Sequence, residues 1–274
     1  MRKLSLVIAV CALLTAPAAA HATTQSASAG TISATFTFAG HYPRYSHERL
    51  TISRGGVVVY DQPVVARFCG TQCAPGSASP SQPSVHVLDL EHNSQPDVVL
   101  DLFTGGAHCC SVEQIFSFDP GAMAYQKTER NFGDPGAQIV DLNRDGHLEF
   151  LTADDRFAYE FTDFAASGLP IQILTFGNRH FTDVTRSYPK LIAKDAADWL
   201  HIFRHAVARD RYSDSVGVVA AWAADQELLG HKRLVSRFLA AQARAHRLNA
   251  PGLPSGHRFV ANLMRFLRRH GYLH

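Results

Sequence analysis

Apolar residues recur at every second position from residue 31 to about 185, and at every third or fourth position after Tyr188-Pro189. A strand points successive side chains to opposite faces, whereas a helix returns to one face after three or four residues. The early part must therefore be built of strands and the late part of helices. In the stretch 31–38, Ile32, Ala34, Phe36 and Phe38 share one face. Short β-branched or aromatic runs follow at 57–60, 97–103, 112–118, 148–152, 157–161 and 171–176. Turn signals separate them: Arg54-Gly55-Gly56, Asp119-Pro120-Gly121, Asp134-Pro135-Gly136 and Gly168-Leu169-Pro170. The Pro- and Ser-rich stretch 74–83 reads as a surface loop. Helical spacing covers 190–211, 216–229, 232–247 and 256–270, with Ser255 able to cap the last helix and Gly271 to end it. The division is a β-rich unit over 23–188 and an α-helical region over 189–274.

The segment 1–22 has the form of an export signal. Arg2 and Lys3 precede an apolar run at 4–14, and Ala20-His21-Ala22 offers a small-residue cleavage pattern. Eleven apolar residues are too few to span a bilayer, and no later run approaches the ~18 a span requires. The expectation is a secreted or periplasmic protein with no membrane span after cleavage. The mature chain then carries equal numbers of acidic and basic residues, unevenly placed: residues 23–185 hold 9 Lys/Arg against 18 Asp/Glu, and residues 186–274 hold 15 against 6. Opposite charge on the two parts can favour their docking. No nucleic-acid partner is expected, and the basic cluster Arg265, Arg268, Arg269 and His270 reads as a solvated helix face.

Four cysteines remain after export: Cys69, Cys73, Cys109 and Cys110. An even number in an oxidising compartment favours two disulfides, and three connectivities are open. A bridge between the adjacent Cys109 and Cys110 strains the peptide between them. The expected pairing therefore joins each of these to one of Cys69 and Cys73.

The stretch DLNRDGHLEF places Asp141, Asn143 and Asp145 at alternate positions, with Gly146 next and Glu149 three residues later. Calcium takes six to eight oxygen ligands from a loop that curls around it. A glycine at the sixth position allows the sharp bend, since it adopts positive φ without a Cβ clash. An EF-hand would need a bidentate Glu where Thr152 stands, and helices on both sides. Glu149 is therefore expected to complete a calcium site inside a β-repeat. A second copy lies upstream: Asp89, Glu91, Asn93 and Asp97 occupy positions 1, 3, 5 and 9 of the same frame, 52 residues earlier, with Ser94 in place of the glycine.

The stretches DLEHNSQPDVVLDLFTGGAHCC and IVDLNRDGHLEFLTADDRFAYEF resemble the FG-GAP/VCBS-type repeats of exported proteins and integrin α-chains. More closely, the arrangement resembles secreted bacterial proteins that carry a TGGAHCC stretch, here at 104–110. The resemblance covers residues 84–190 well and the rest loosely. It implies a calcium-stabilised, mainly β repeat unit followed by the helical region. That unit would be a propeller, a partial propeller or a β-sandwich.

Two function classes follow. The first is a binding or structural module without catalysis, whose partner is a protein or glycan of the cell envelope. The second is a secreted hydrolase using His and Asp residues at a pocket between the β unit and the tail. Its candidates are Asp154, Asp155, His108 and tail histidines such as the i, i+4 pair His201 and His205. The sequence contains no H-E-x-x-H, G-x-S-x-G, P-loop or dinucleotide fingerprint, so the first class is preferred. Some of the tail's large apolar residues (Trp199, Phe203, Trp222, Leu228, Phe238, Phe259 and Phe266) are expected to pack on the β unit near 171–176.

Overall fold

The computed structural model describes residues 22–76, 83–209, 211, 214–249 and 252–273. The expected signal segment lies outside these residues except for Ala22, which opens the first strand. Three antiparallel sheets follow in chain order. The first is a meander of β1 (Ala22–Ala29), β2 (Ile32–His41), β3 (Arg44–Arg54) and β4 (Val57–Pro63). The central sheet is built on β7 (Asp97–Gly106), which pairs with β5 (Ala74–Pro75) and β6 (Val85–Leu88) on one edge. Its other edge carries β8 (Cys109–Asp119), which pairs with β9 (Ala124–Gly133). The third sheet runs β10 (Gln138–Val140), β11 (Glu149–Ala153), β12 (Ile171–Gly177) and β13 (His180–Asp183).

Alternation explains how the sheets stack. In β2, Ile32, Ala34, Phe36 and Phe38 are buried while Ser33, Thr35 and Thr37 lie on the opposite, more exposed face. The buried face meets Val98, Leu100, Leu102 and Phe116 of the central sheet. The other face of the central sheet presents Val99, Ile115 and Phe132 to Phe150, Leu174 and Phe176 of the third. Covered on both sides, β7 and β8 are buried along most of their length. No closed barrel or ring is formed by these strands.

The helices are α1 (Pro189–Ala208), α2 (Ser215–Leu228), α3 (Lys232–Arg244) and α4 (Gly256–Arg269). Residues 216–224 of α2 are all buried, as expected of a helix that is apolar all round and sits inside the helical layer. Its Gly217 permits close approach to the turn before β12, where a Cβ would fall on the Ala166 carbonyl oxygen.

Three expectations are corrected. The run 157–161 is not a strand: a 3-10 turn at Asp155–Phe157 replaces it, started by Asp154 accepting from the Arg156 amide. Tyr159 then takes φ +61° and turns outward, which breaks the alternation. Second, the tail docks one segment earlier than expected. Phe157 and Phe161, both buried, share the core of Phe203, Trp222, Phe259 and Phe266. The Phe157 ring lies 4.9 Å from Phe266 and 5.6 Å from Tyr272. Polar ties hold the same contact. The Tyr272 hydroxyl donates to Asp154 at 2.7 Å, and Arg186 donates to the carbonyls of Leu228, Gly271 and Tyr272. Asp195 of α1, accepting from the Ile171 amide at 2.9 Å, ties the tail to β12 itself.

Third, the disulfides are Cys69–Cys73 and Cys109–Cys110, not the cross-pairing expected. Ala74 pairs with Phe103, and Phe103 pairs on its other side with Ser111. Strand β7 therefore lies between the two cysteine-bearing segments. Two strand spacings amount to ~9.5 Å, beyond the ~7 Å at which two Cα atoms can be bridged.

Candidate functional site

Both oxygen-rich stretches form the same object in consecutive sheets. In the central sheet, the paired residues Leu88 and Asp97 close an eight-residue turn between β6 and β7. In the third, Val140 and Glu149 close an eight-residue turn between β10 and β11. The first acid of each turn organises its backbone. Asp89 accepts from the amides of Asn93 and Ser94 at 3.0 and 2.8 Å. Asp141 accepts from Asp145 and Gly146 at 3.2 and 3.0 Å, and also from Arg144 at 2.6 Å. The fourth and sixth residues take left-handed conformations in both turns, at φ +51° and +62° for His92 and Ser94, and +64° and +91° for Arg144 and Gly146.

The remaining site residues divide by burial. Asn143 and Asp145 are exposed at the tip, where the Asn143 amide donates to Asp145 at 2.7 Å. The His147 amide and then Asn143 hold the Asp145 carboxyl below the usual carboxylate range, so it is ionised at neutral pH. Asn93 is likewise exposed, capping the Gln95 amide at 2.8 Å. Glu91 accepts from the Asn178 amide at 2.8 Å and from the Asn93 side-chain amide at 3.4 Å. The ninth-position acids point inward. Asp97 and Glu149 are buried, and Glu149 accepts from the Leu142 amide at 2.9 Å. Burial pushes the Asp97 carboxyl up to about 7, and the nearby charges of Glu91 and Asp89 add to the rise. Burial and the neighbouring Glu149 also raise the Tyr188 phenol.

The donor set around Asp141 is therefore partly suited to a hard cation. Asp141 Oδ1 accepts two amides and Oδ2 only one, so Oδ2 keeps a further lone pair, and Asn143 and Asp145 add exposed oxygens. Glu149, however, is turned into the sheet. Among the described residues, no three His, Cys, Asp or Glu side chains converge as a metal site of that type would require. What the sequence left unseen is the contact between the two turns. The His92 and His147 rings lie 5.3 Å apart, and His92 covers Gly146. A cleft of about 520 Å³ beside them is lined by Glu91, Asp145, Glu149, Asn178 and Tyr188.

The hydrolase candidates are dispersed. Asp154 is buried and held by the Arg156 guanidinium at 2.5–2.7 Å and by Tyr272. Asp155 leans on Gly133 and accepts from the Asp134 amide at 3.4 Å. His108 stacks on Phe164 at 4.2 Å, while His201 and His205 are exposed on α1 with rings 6.2 Å apart. A cleft of about 560 Å³ does lie between the β unit and the tail, lined by Arg130, Asp154, Asp155, Arg156, Asp183 and His270. Its His270 faces the Arg156 guanidinium at 3.0 Å. Arg265, Arg268 and Arg269 are exposed, as a solvated face would be.

No family model matches the chain, and no solved structure matches it. A probable thylakoid lumen protein of Synechocystis is 31% identical over 160 residues, covering 57% of this chain and 47% of that protein. An uncharacterised protein of Sinorhizobium fredii is 23% identical over 140 residues, covering 50% of this chain and 21% of that protein. The chain thus spans less than half the length of these curated relatives.

Proposed function

We propose that this chain is an exported, calcium-stabilised β-repeat protein that serves as a binding or structural module without catalysis. One observation carries the reading: a single turn geometry, organised by Asp89 and by Asp141, recurs at the same register position of consecutive sheets. Repetition of an acidic turn, between β6 and β7 and again between β10 and β11, fits the FG-GAP/VCBS resemblance, under which the three sheets are blades of a partial propeller. Calcium would be held by the oxygens of Asp141, Asn143 and Asp145, with Glu149 behind them; in the other turn Asp89, Glu91, Asn93 and Asp97 keep the same frame but are engaged within the fold. The ion supplies charge that relieves the mutual repulsion of these acids. Export is supported by the segment 1–22 and by a relative whose name places it in the thylakoid lumen. The partner would be a protein or glycan of the envelope.

The hydrolase reading retains one observation in its favour, the charged cleft between sheet and tail. Its weakness is that Asp154 and His270 are both engaged by Arg156.

Chelation tests the preferred reading. A ligand bound only by the folded state adds RT ln(1 + [L]/Kd), roughly 2.7 kcal/mol at a hundredfold excess over Kd. Excess chelator should lower the Tm of the wild type, and Asp145→Ala should remove that sensitivity. A melting curve unchanged by chelator would end the calcium reading.

A further inference from the structure

The face of the central sheet that meets the third sheet changes character along its length. Near the twin turns it is apolar, with Val99, Ile115 and Phe132. Two residues further along the same phase stand Asp101 on β7 and Glu113 on β8, directly opposite each other in register. Like charges in that relation are destabilising, and here they lie inside the protein. Glu113 is 5% exposed. Among the described residues its Oε2 atom has no hydrogen-bond partner.

Two cations stand near, and neither donates a hydrogen bond to the Oε2 atom of Glu113. His86 on β6 reaches Asp101, with Nε2 3.1 Å from Oδ2. Arg130 on β9 is opposite Glu113 in register. Its guanidinium lies instead over the rings of Phe132 and Phe181, 5.2 and 5.0 Å from their centroids. Glu113 is left as an acceptor on the wall of a cavity of about 560 Å³ between the central sheet and β10. Leu88, Ala137 and Ile139 line the same space. The volume falls in the range of ~300–1,000 Å³ typical of small-molecule sites.

We propose that this cavity binds a small organic ammonium ion with an apolar body, whose charged end is accepted by Glu113 and Asp101. The reasoning is one of deficit. The lining carries two acidic side chains and one imidazole, which is already paired to Asp101, so it offers a cation more than an anion. The side chains do not converge as metal ligands among the described residues. A desolvated acceptor without a donor is costly, and a charge-assisted hydrogen bond from an ammonium removes that cost, while the aliphatic walls take the hydrocarbon part. In the free protein, burial and then the Asp101 charge push the Glu113 carboxyl well above the usual carboxylate range, so the orphan acid is tolerated as a neutral group. The inference stands apart from the calcium turns and does not rest on them.

The test uses the full chain and three probes of one shape: cyclohexylammonium, cyclohexanol and cyclohexanecarboxylate. Binding is read from amide shifts in β7, β8 and β10 and from the rise in Tm. The ammonium should saturate these shifts at least tenfold more tightly than the alcohol, and the carboxylate should leave them unmoved. Glu113→Gln should weaken the ammonium tenfold or more without lowering the Tm of the free protein. If that variant does not fold, Asp101→Asn serves the same purpose. Asp145→Ala should leave ammonium binding intact even if it abolishes the response to calcium. Equal binding of alcohol and ammonium, or undiminished ammonium binding by the folded variant, would overturn the proposal.

Discussion

The two acidic turns share a backbone and differ in how much of their chemistry remains available. Around Asp141, three amides are gathered by one carboxylate, the sixth residue is glycine, and Asp145 stays ionised at the exposed tip. Around Asp89, only two amides are gathered. Ser94 occupies the left-handed sixth position, and Glu91 is committed to the Asn178 amide. The inward acid differs too, since the shorter Asp97 is held in a site that favours its neutral form. A repeated turn can therefore keep its shape after its ligand set has been diverted to hold the fold together.

The largest expected effect separates the turns by pH. The folded-state pKa of Asp97, about 7, lies above its unfolded value of ~3.9. Its contribution to stability is fully present below about pH 4 and is lost as pH rises through about 7. Asp97→Asn should remove up to about 3–4 kcal/mol of that loss. Denaturant melts at pH 4 and pH 8 measure it, and equal pH dependence in variant and wild type would contradict the buried-acid account.

A smaller effect compares the organising acids. Asp141→Ala leaves three amides without their acceptor and should cost about 2 kcal/mol, against about 1 kcal/mol for Asp89→Ala, in line with capping substitutions. Equal losses in chelated protein would show that the amide count does not distinguish the turns. The smallest effect concerns the sixth residue. A non-glycine residue in the left-handed region costs ~1–2 kcal/mol, so Ser94→Gly should gain up to about 1 kcal/mol, since glycine also loses more freedom on folding. Gly146→Ser should lose a similar amount, the exposed His92 ring moving aside. A loss from Ser94→Gly would mean that the serine side chain supports its turn.

Much of the fold was legible because its signals are local. Alternation located β2, β7, β8, β11 and β12, and helical spacing located all four helices. Strands β1, β3 and β9 escaped because polar residues such as Lys127 and Glu129 stand at the same phase as a core residue, Tyr125, and mask the alternation. The turn residues were legible because one strand pair closes both ends of each turn. The Glu113 cavity was only half visible: Asp101 and Glu113 sit at the core phase of their runs, but nothing local says that the two acids meet.

The sequence by itself determined the two periods, the position of the turns, and the placing of Asp89 and Asp141 at the first position of each. These depend on residues within a few positions of each other. The tertiary structure alone decided which cysteines could reach one another, because β7 intervenes between the two pairs. It also placed Phe157 and Phe161 in the helical core and left Glu113 facing a cavity without a partner. Each of those outcomes depends on which surfaces stack, a choice made by burial of apolar area over the whole chain, which no short stretch of sequence encodes.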